Sequence, residues 1–111
     1  MLLFSMVLAL LSMNAQAQDS KKQTVEIKTS AVCNMCKKTL EKELDYDIFV
    51  QSSTLDVNSK VLTVVFDSRK TSADNIRKAV TETGYDADGK PAQERAYNRL
   101  DDCCKKEAGA H

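Results

Sequence analysis

Residues 24–36 read TVEIKTSAVCNMC, and the fold is decided here. The first half, TVEIKTS, alternates apolar and polar residues with Val25 and Ile27 on one face, which is the pattern of a half-buried strand. The second half enters a helix. From Cys36 the apolar positions are Cys36, Leu40 and Leu44, a single stripe at helical spacing, while Lys37, Lys38, Glu41, Lys42 and Glu43 fill the outer face. The expected helix covers about 34–46. A strand that runs through a short loop into a helix places Cys33 and Cys36 at the helix N-terminus.

Moving toward the C-terminus, Ile48 and Val50 lead into Ser53, Leu55 and Val57, and a strand is expected near 51–57. Asn58-Ser59-Lys60 is a turn signal. VLTVVFD at 61–67 is rich in β-branched residues, with Leu62, Val64 and Phe66 on one face, so the two segments read as a β-hairpin. Thr71-Ser72-Ala73-Asp74 starts a second helix, whose apolar stripe is Ala73, Ile76, Ala79 and Val80 and whose stop is Gly84. Residues 86–91 form a loop with little room for another strand. From Pro91 to Leu100 the chain again reads as helical, with Pro in the first turn and Ala92, Ala96, Tyr97 and Leu100 on one face. The last residues, DDCCKKEAGAH, are polar and read as a mobile tail. The order is β-α-β-β-α, followed by a short final strand or a third helix. This is an α+β, ferredoxin-like arrangement of helices on an antiparallel sheet.

Toward the N-terminus, residues 18–23 are a polar lead-in. Before them the apolar run from Leu2 to Leu11 ends in small and polar residues and the A-x-A pattern Ala15-Gln16-Ala17. Residues 1–17 therefore read as a secretory signal peptide cut after Ala17. The run is shorter than the roughly 20 residues a membrane-spanning helix needs. No Lys or Arg precedes it, which leaves an uncleaved anchor as the alternative. The expected organisation is a signal peptide at 1–17, one domain at 18–90 and a helical, cysteine-containing extension at 91–111.

Charge narrows the partners. The chain carries 16 basic and 16 acidic residues among 111, and a balanced chain argues against nucleic acid. No basic amphipathic stretch suggests a membrane-surface role. With three Phe, three Tyr and no Trp, the core is small and the stability margin limited.

The four cysteines come in two local pairs, Cys33 with Cys36 and the adjacent Cys103 and Cys104. Export puts them in an oxidising compartment. Neither local pair closes a long loop, so neither would restrict the unfolded chain as a structural staple does. They read as ligand or redox pairs. A helix N-terminus favours anions, which makes the Cys33 and Cys36 thiols readier to ionise, and the thiolate is the metal ligand. Two soft sulfurs at this spacing suit a soft ion of low coordination, Cu(I) above all. Zn(II) prefers four protein ligands in a closed site. Cys103 and Cys104 are a candidate second pair that would complete a four-sulfur site. Met35, inside the motif, reads as packed or exposed rather than ligating, and His111 as solvated. The lysine pairs 37/38 and 105/106 read as solvated charge, with offsetting a dithiolate or steering an acidic partner as the alternative.

At these residues the sequence resembles the heavy-metal-associated domain family. That family includes copper chaperones, metal-binding domains of copper-transporting ATPases and periplasmic mercury-binding proteins. The resemblance spans about residues 24–88 and is carried by VCNMC after the first strand, by VLTVVFD followed by the TS helix start, and by TGYDA at 83–87. It implies an open-faced βαββαβ sandwich with the metal on Cys33 and Cys36. It also implies a bacterial periplasmic scavenger or carrier; a shallow two-cysteine site would pass its metal by ligand exchange to another thiol-rich protein or transporter, from a monomer or a metal-bridged dimer. Tyr85 matches a tyrosine that copper-handling bacterial members place near the metal loop. Where the family has Gly-Met-Thr before the first cysteine, this chain has Ser30-Ala31-Val32, and its fourth strand is weakly represented. Hg(II) and Zn(II) are the alternative ions. The main rival function is a thiol-disulfide redox protein. Against it, the chain lacks the Trp-Cys-Gly-Pro-Cys context of thioredoxins, and its one proline, Pro91, lies in the extension. A vestigial adaptor is a third reading. Haem attachment would need His where Lys37 stands. A single terminal histidine leaves no plausible base for hydrolysis, so the chain is read as a binder, not an enzyme.

Overall fold

The structure is a computed structural model that describes residues 21–105. The signal-peptide pattern at 1–17, Lys106 and His111 lie outside the described residues. Six main elements run in order: β1 (Lys22–Lys28), α1 (Asn34–Asp45), β2 (Val50–Asp56), β3 (Val61–Asp67), α2 (Ala73–Thr83) and α3 (Glu94–Asn98). A 3₁₀ turn, Asp102–Cys104, follows. The strands form an antiparallel sheet in the order β1-β3-β2. This is the expected α+β, ferredoxin-like βαββα layer.

The register follows from the apolar alternation. Ile27 pairs with Leu62, which pairs with Leu55 on the other side, and Val25 pairs with Val64. Because side chains alternate across a strand, these residues share the face that the helices cover. From above, α1 presents Cys36, Leu40 and Leu44, and α2 presents Ile76 and Val80, all buried. The hairpin between β2 and β3 turns on Asp56, whose carboxylate accepts the N–H of Asn58 at 2.9 Å, and on Lys60 at φ 63°.

The caps of α2 are those its sequence calls for. The Ser72 hydroxyl accepts the Asn75 N–H at 3.2 Å, and Gly84 closes the helix at φ 113°. Gly84 does more than end the helix. A β-carbon there would come within 3.0 Å of the Ala96 carbonyl oxygen and 3.2 Å of Leu100 Cδ2. The bare backbone at Gly84 is what lets α3 lie against the end of α2.

Two expectations need correction. The third helix begins at Glu94, not at Pro91, and is five residues long. The preceding segment is held extended, because the Ala92 N–H donates to Asp86 Oδ1 and the Gln93 N–H to the Thr81 carbonyl, each at 2.9 Å. Those bonds draw the amides away from helical geometry until Gln93 caps the turn. The segment expected to be a mobile tail is docked as far as Lys105. Asp102–Cys104 forms its 3₁₀ turn with Cys104 buried in the main core. The fourth strand of the family pattern is reduced to single bridges, Thr29 with Ala87 and Ala87 with Lys90. Among the described residues, no helix is long and apolar enough to cross a membrane.

Candidate metal centre

The site is built on the β1–α1 loop. Thr29, at the end of β1, is nearly fully buried, and its hydroxyl donates to the Lys60 carbonyl at 2.8 Å and accepts the Ala31 N–H at 3.2 Å. The Ser30 hydroxyl accepts the Asp86 N–H at 2.9 Å, tying the loop to the segment after α2. Ala31 and Val32 then bury their side chains. The loop is thus pinned by the Thr29 hydroxyl and, where the family pattern has Gly-Met-Thr, by the Ser30 hydroxyl and the buried Ala31 and Val32. Thr29 and Ser30 were not marked as site residues from sequence. The signal that could have found them is a pair of hydroxyl residues ending a strand just ahead of the motif.

Cys33 takes the N-cap position of α1 with extended backbone, and Cys36 sits in the first turn, buried beneath it. Their Sγ atoms are 3.3 Å apart. Burial works against ionising Cys33. The N–H and thiol of Cys36, the Cys103 thiol and the Met35 N–H outweigh it and hold the Cys33 thiol below its ordinary range. Cys33 is therefore readier to ionise than an ordinary thiol.

The docked 3₁₀ turn brings the second pair to the first. Cys33 Sγ lies 3.8 Å from the Sγ of Cys103 and 3.8 Å from that of Cys104. The three sulfurs all lie within 4.8 Å of one another. Cys104 is buried and Cys103 half-exposed. Burial pushes the Cys104 thiol well up, and its contacts with Cys36 and Cys33 add to this. Cys103 is raised by its bond to Cys33.

Two further side chains frame the cluster. Met35 is 46% exposed, and its Sδ accepts from the Cys103 thiol at 3.7 Å. Tyr85 is fully buried. Its hydroxyl has no well-formed hydrogen bond and faces the thiols of Cys104 and Cys36. Burial and those neighbours push its pKa far above the ordinary phenol value. It is a neutral donor aimed at sulfur. Lys37 and Lys105, beside the two motifs, are engaged elsewhere. Lys37 pairs with Glu41 and also donates to the Leu55 carbonyl, and Lys105 lies 3.8 Å from Asp102.

A family model for the heavy-metal-associated domain matches residues 29–86, just over half of the chain. The chain belongs to that family. Heavy-metal binding is the property this membership brings, and the matched span holds the pinned loop, Cys33, Cys36 and Tyr85. Among solved structures, oxidised MerP from Ralstonia metallidurans CH34 is similar at 27% identity over 60% of this chain and 93% of its own, with a TM-score of 0.56. A CopZ metallochaperone is similar at 21% identity over 59% of this chain and 98% of its own, TM-score 0.56. A copper-binding domain from HMA7, a P-type ATPase, is similar at 18% identity over 58% of this chain and 88% of its own, TM-score 0.56. The last two, at that identity, share the fold. No curated protein matches the chain closely enough to count as a relative. The family match ends at residue 86, so Cys103 and Cys104 lie outside the matched span.

Proposed function

We propose that the chain is an exported carrier and buffer for a soft metal ion, with Cu(I) as its cargo. The observation that carries this reading is the convergence of Cys103 and Cys104 on Cys33, at 3.8 Å each, beside the Cys33–Cys36 pair. Thiolates are donors that select Cu(I). Cys33 and Cys36 are the primary ligands, and Cys103 and Cys104 the supporting pair. Cargo enters on the side where Cys33, Cys103 and Met35 reach solvent. It leaves by thiolate exchange with another thiol-rich protein or a transporter. Added sulfurs tighten such a site, which moves a simple carrier toward a buffer. All four thiols come from one chain, which supports a working monomer. Export rests on the pattern at 1–17, and in an oxidising compartment bound metal protects thiols that would otherwise oxidise.

A second reading has one observation in its favour. Three cysteine sulfurs within 4.8 Å of one another, with Cys36 adjoining, also resemble the all-sulfur sets that hold Zn(II) in closed sites, and Hg(II) shares the preference for sulfur.

The test is an anaerobic Cu(I) titration of the reduced chain from residue 18 onward against a chromophoric chelator. Cys33→Ser/Cys36→Ser and Cys103→Ser/Cys104→Ser variants run beside it. The first variant is expected to lose tight binding. The second is expected to bind roughly 10- to 100-fold more weakly than wild type. A wild-type chain that cannot outcompete even a weak chelator for Cu(I), yet holds Zn(II) or Hg(II), would hand the function to the second reading.

A further inference from the structure

Cys33 is shared by two groups of sulfur. On its buried side it meets Cys36 at 3.3 Å and Cys104 at 3.8 Å. On its open side it meets Cys103 at 3.8 Å, and Cys103 in turn meets the Met35 thioether at 3.7 Å. The two sides differ in exposure. Cys36 and Cys104 are buried, Cys33 and Cys103 half-exposed, and Met35 is 46% exposed. A univalent soft ion is satisfied by few sulfurs, so an ion held at Cys33 and Cys36 leaves the rim donors free.

Charge points the same way. Every thiol that ionises adds a negative charge, and Lys37 and Lys105 are directed to Glu41 and Asp102 instead. Closely packed thiolates without a cation repel one another and resist ionising. One Cu(I) cancels only one negative charge. A thiolate retains lone pairs after binding one ion, so Cys33 can bridge to another.

We infer that Cys33, Cys103 and the Met35 thioether form a second Cu(I) subsite on the rim, sharing Cys33 with the Cys33–Cys36 pair, so that one chain loads two ions. Loading both ions displaces one proton each from Cys33, Cys36 and Cys103, the bridging Cys33 losing its proton once, and leaves the thioether chemically unchanged. No electron is transferred. The inner ion is the retained one. The rim ion, held partly by an exposed thioether, is the exchangeable one. The subsite rests on the soft-metal reading above, since it needs Cys33 to bind metal.

The experiment is native mass spectrometry of the reduced chain (residue 18 onward, which contains every described residue) titrated anaerobically with Cu(I). Chelator competition for each step is measured in parallel. Wild type is expected to show two Cu(I) per monomer mass. Met35→Leu keeps the volume of a half-exposed side chain and is expected to leave the far-UV circular dichroism melt in place. It is expected to hold the first ion as wild type does, and to weaken the second by roughly tenfold or more. Cys103→Ser is the second arm and is expected to remove the second ion. A wild-type monomer that saturates at one ion overturns the subsite and leaves the carrier reading standing. So does a second ion indifferent to Met35→Leu, whatever Cys103→Ser does. A chain that takes up no Cu(I) ends both.

Discussion

At the scale of single residues, Tyr85 is the side chain whose role changes most with loading. A buried hydroxyl without a good partner destabilises a fold, whereas a hydrogen bond to a charged acceptor is among the stronger ones. In the reduced, metal-free chain the Tyr85 hydroxyl faces thiols, which accept weakly. Once Cys36 or Cys104 is a metal thiolate, the same hydroxyl gains a charged acceptor. Tyr85→Phe is therefore expected to raise metal-free stability by about 1 kcal/mol and to weaken Cu(I) affinity roughly tenfold. Urea unfolding and chelator competition measure the two. No change in either would mean that the hydroxyl is idle. Tyr85 was picked out of the sequence by family resemblance, and its burial against sulfur could not have been, because residue type alone does not say which group a hydroxyl meets. Thr29 and Ser30 pose the same problem. Their hydroxyls look like any solvated pair until the Lys60 carbonyl and the Asp86 amide are in place.

Among the elements, the short α3 matters beyond its length because it sets where the chain goes next. Its approach to α2 depends on Gly84, which is in the left-handed region and in close contact with Ala96. An alanine there meets two obstacles. The backbone conformation is unfavourable by about 1–2 kcal/mol for a residue with a β-carbon. The new methyl also presses on the Ala96 carbonyl, which as backbone cannot swing aside. Gly84→Ala is expected to cost about 2 kcal/mol or more in urea stability. By displacing α3 it is also expected to bring Cu(I) affinity down toward that of the Cys103→Ser/Cys104→Ser variant. A variant that loses stability but keeps full affinity would show that the docked turn finds the site without α3. The strands and the two longer helices were legible in sequence because each carries its own period, as with Ile27 against Leu62 or the Cys36, Leu40, Leu44 stripe. The start of α3 was not. It is set by the side chain of Asp86 and the carbonyl of Thr81, which lie outside the segment they control.

For the molecule as a whole, Asp88 links the sheet to α2. Its carboxylate accepts the Lys28 N–H at 2.8 Å and pairs with Arg77 at 2.9 Å. The Lys28 N–H first, helped by the Arg77 guanidinium, outweighs burial and holds the Asp88 carboxyl below the usual carboxylate range. A depressed folded-state value means that the ionised form stabilises the fold. That contribution is fully present above the ordinary carboxylate pKa and is lost as pH falls through the lowered one. Urea midpoints measured from pH 6 downward should therefore decline at acid pH, and Asp88→Asn should flatten part of that decline. An unchanged slope in the variant would assign acid sensitivity to other carboxylates. The sequence by itself determined the order of elements, the caps of α2, the strand faces, and the existence of two cysteine pairs with the first at a helix N-terminus. These are local matters, set by periodicity and by residues a few positions apart. Only the tertiary structure decided that Cys103 and Cys104, some 70 residues away, meet Cys33. That meeting depends on backbone packing at Gly84 and on burial of the Cys104 side chain in the core, neither of which leaves a period in the chain.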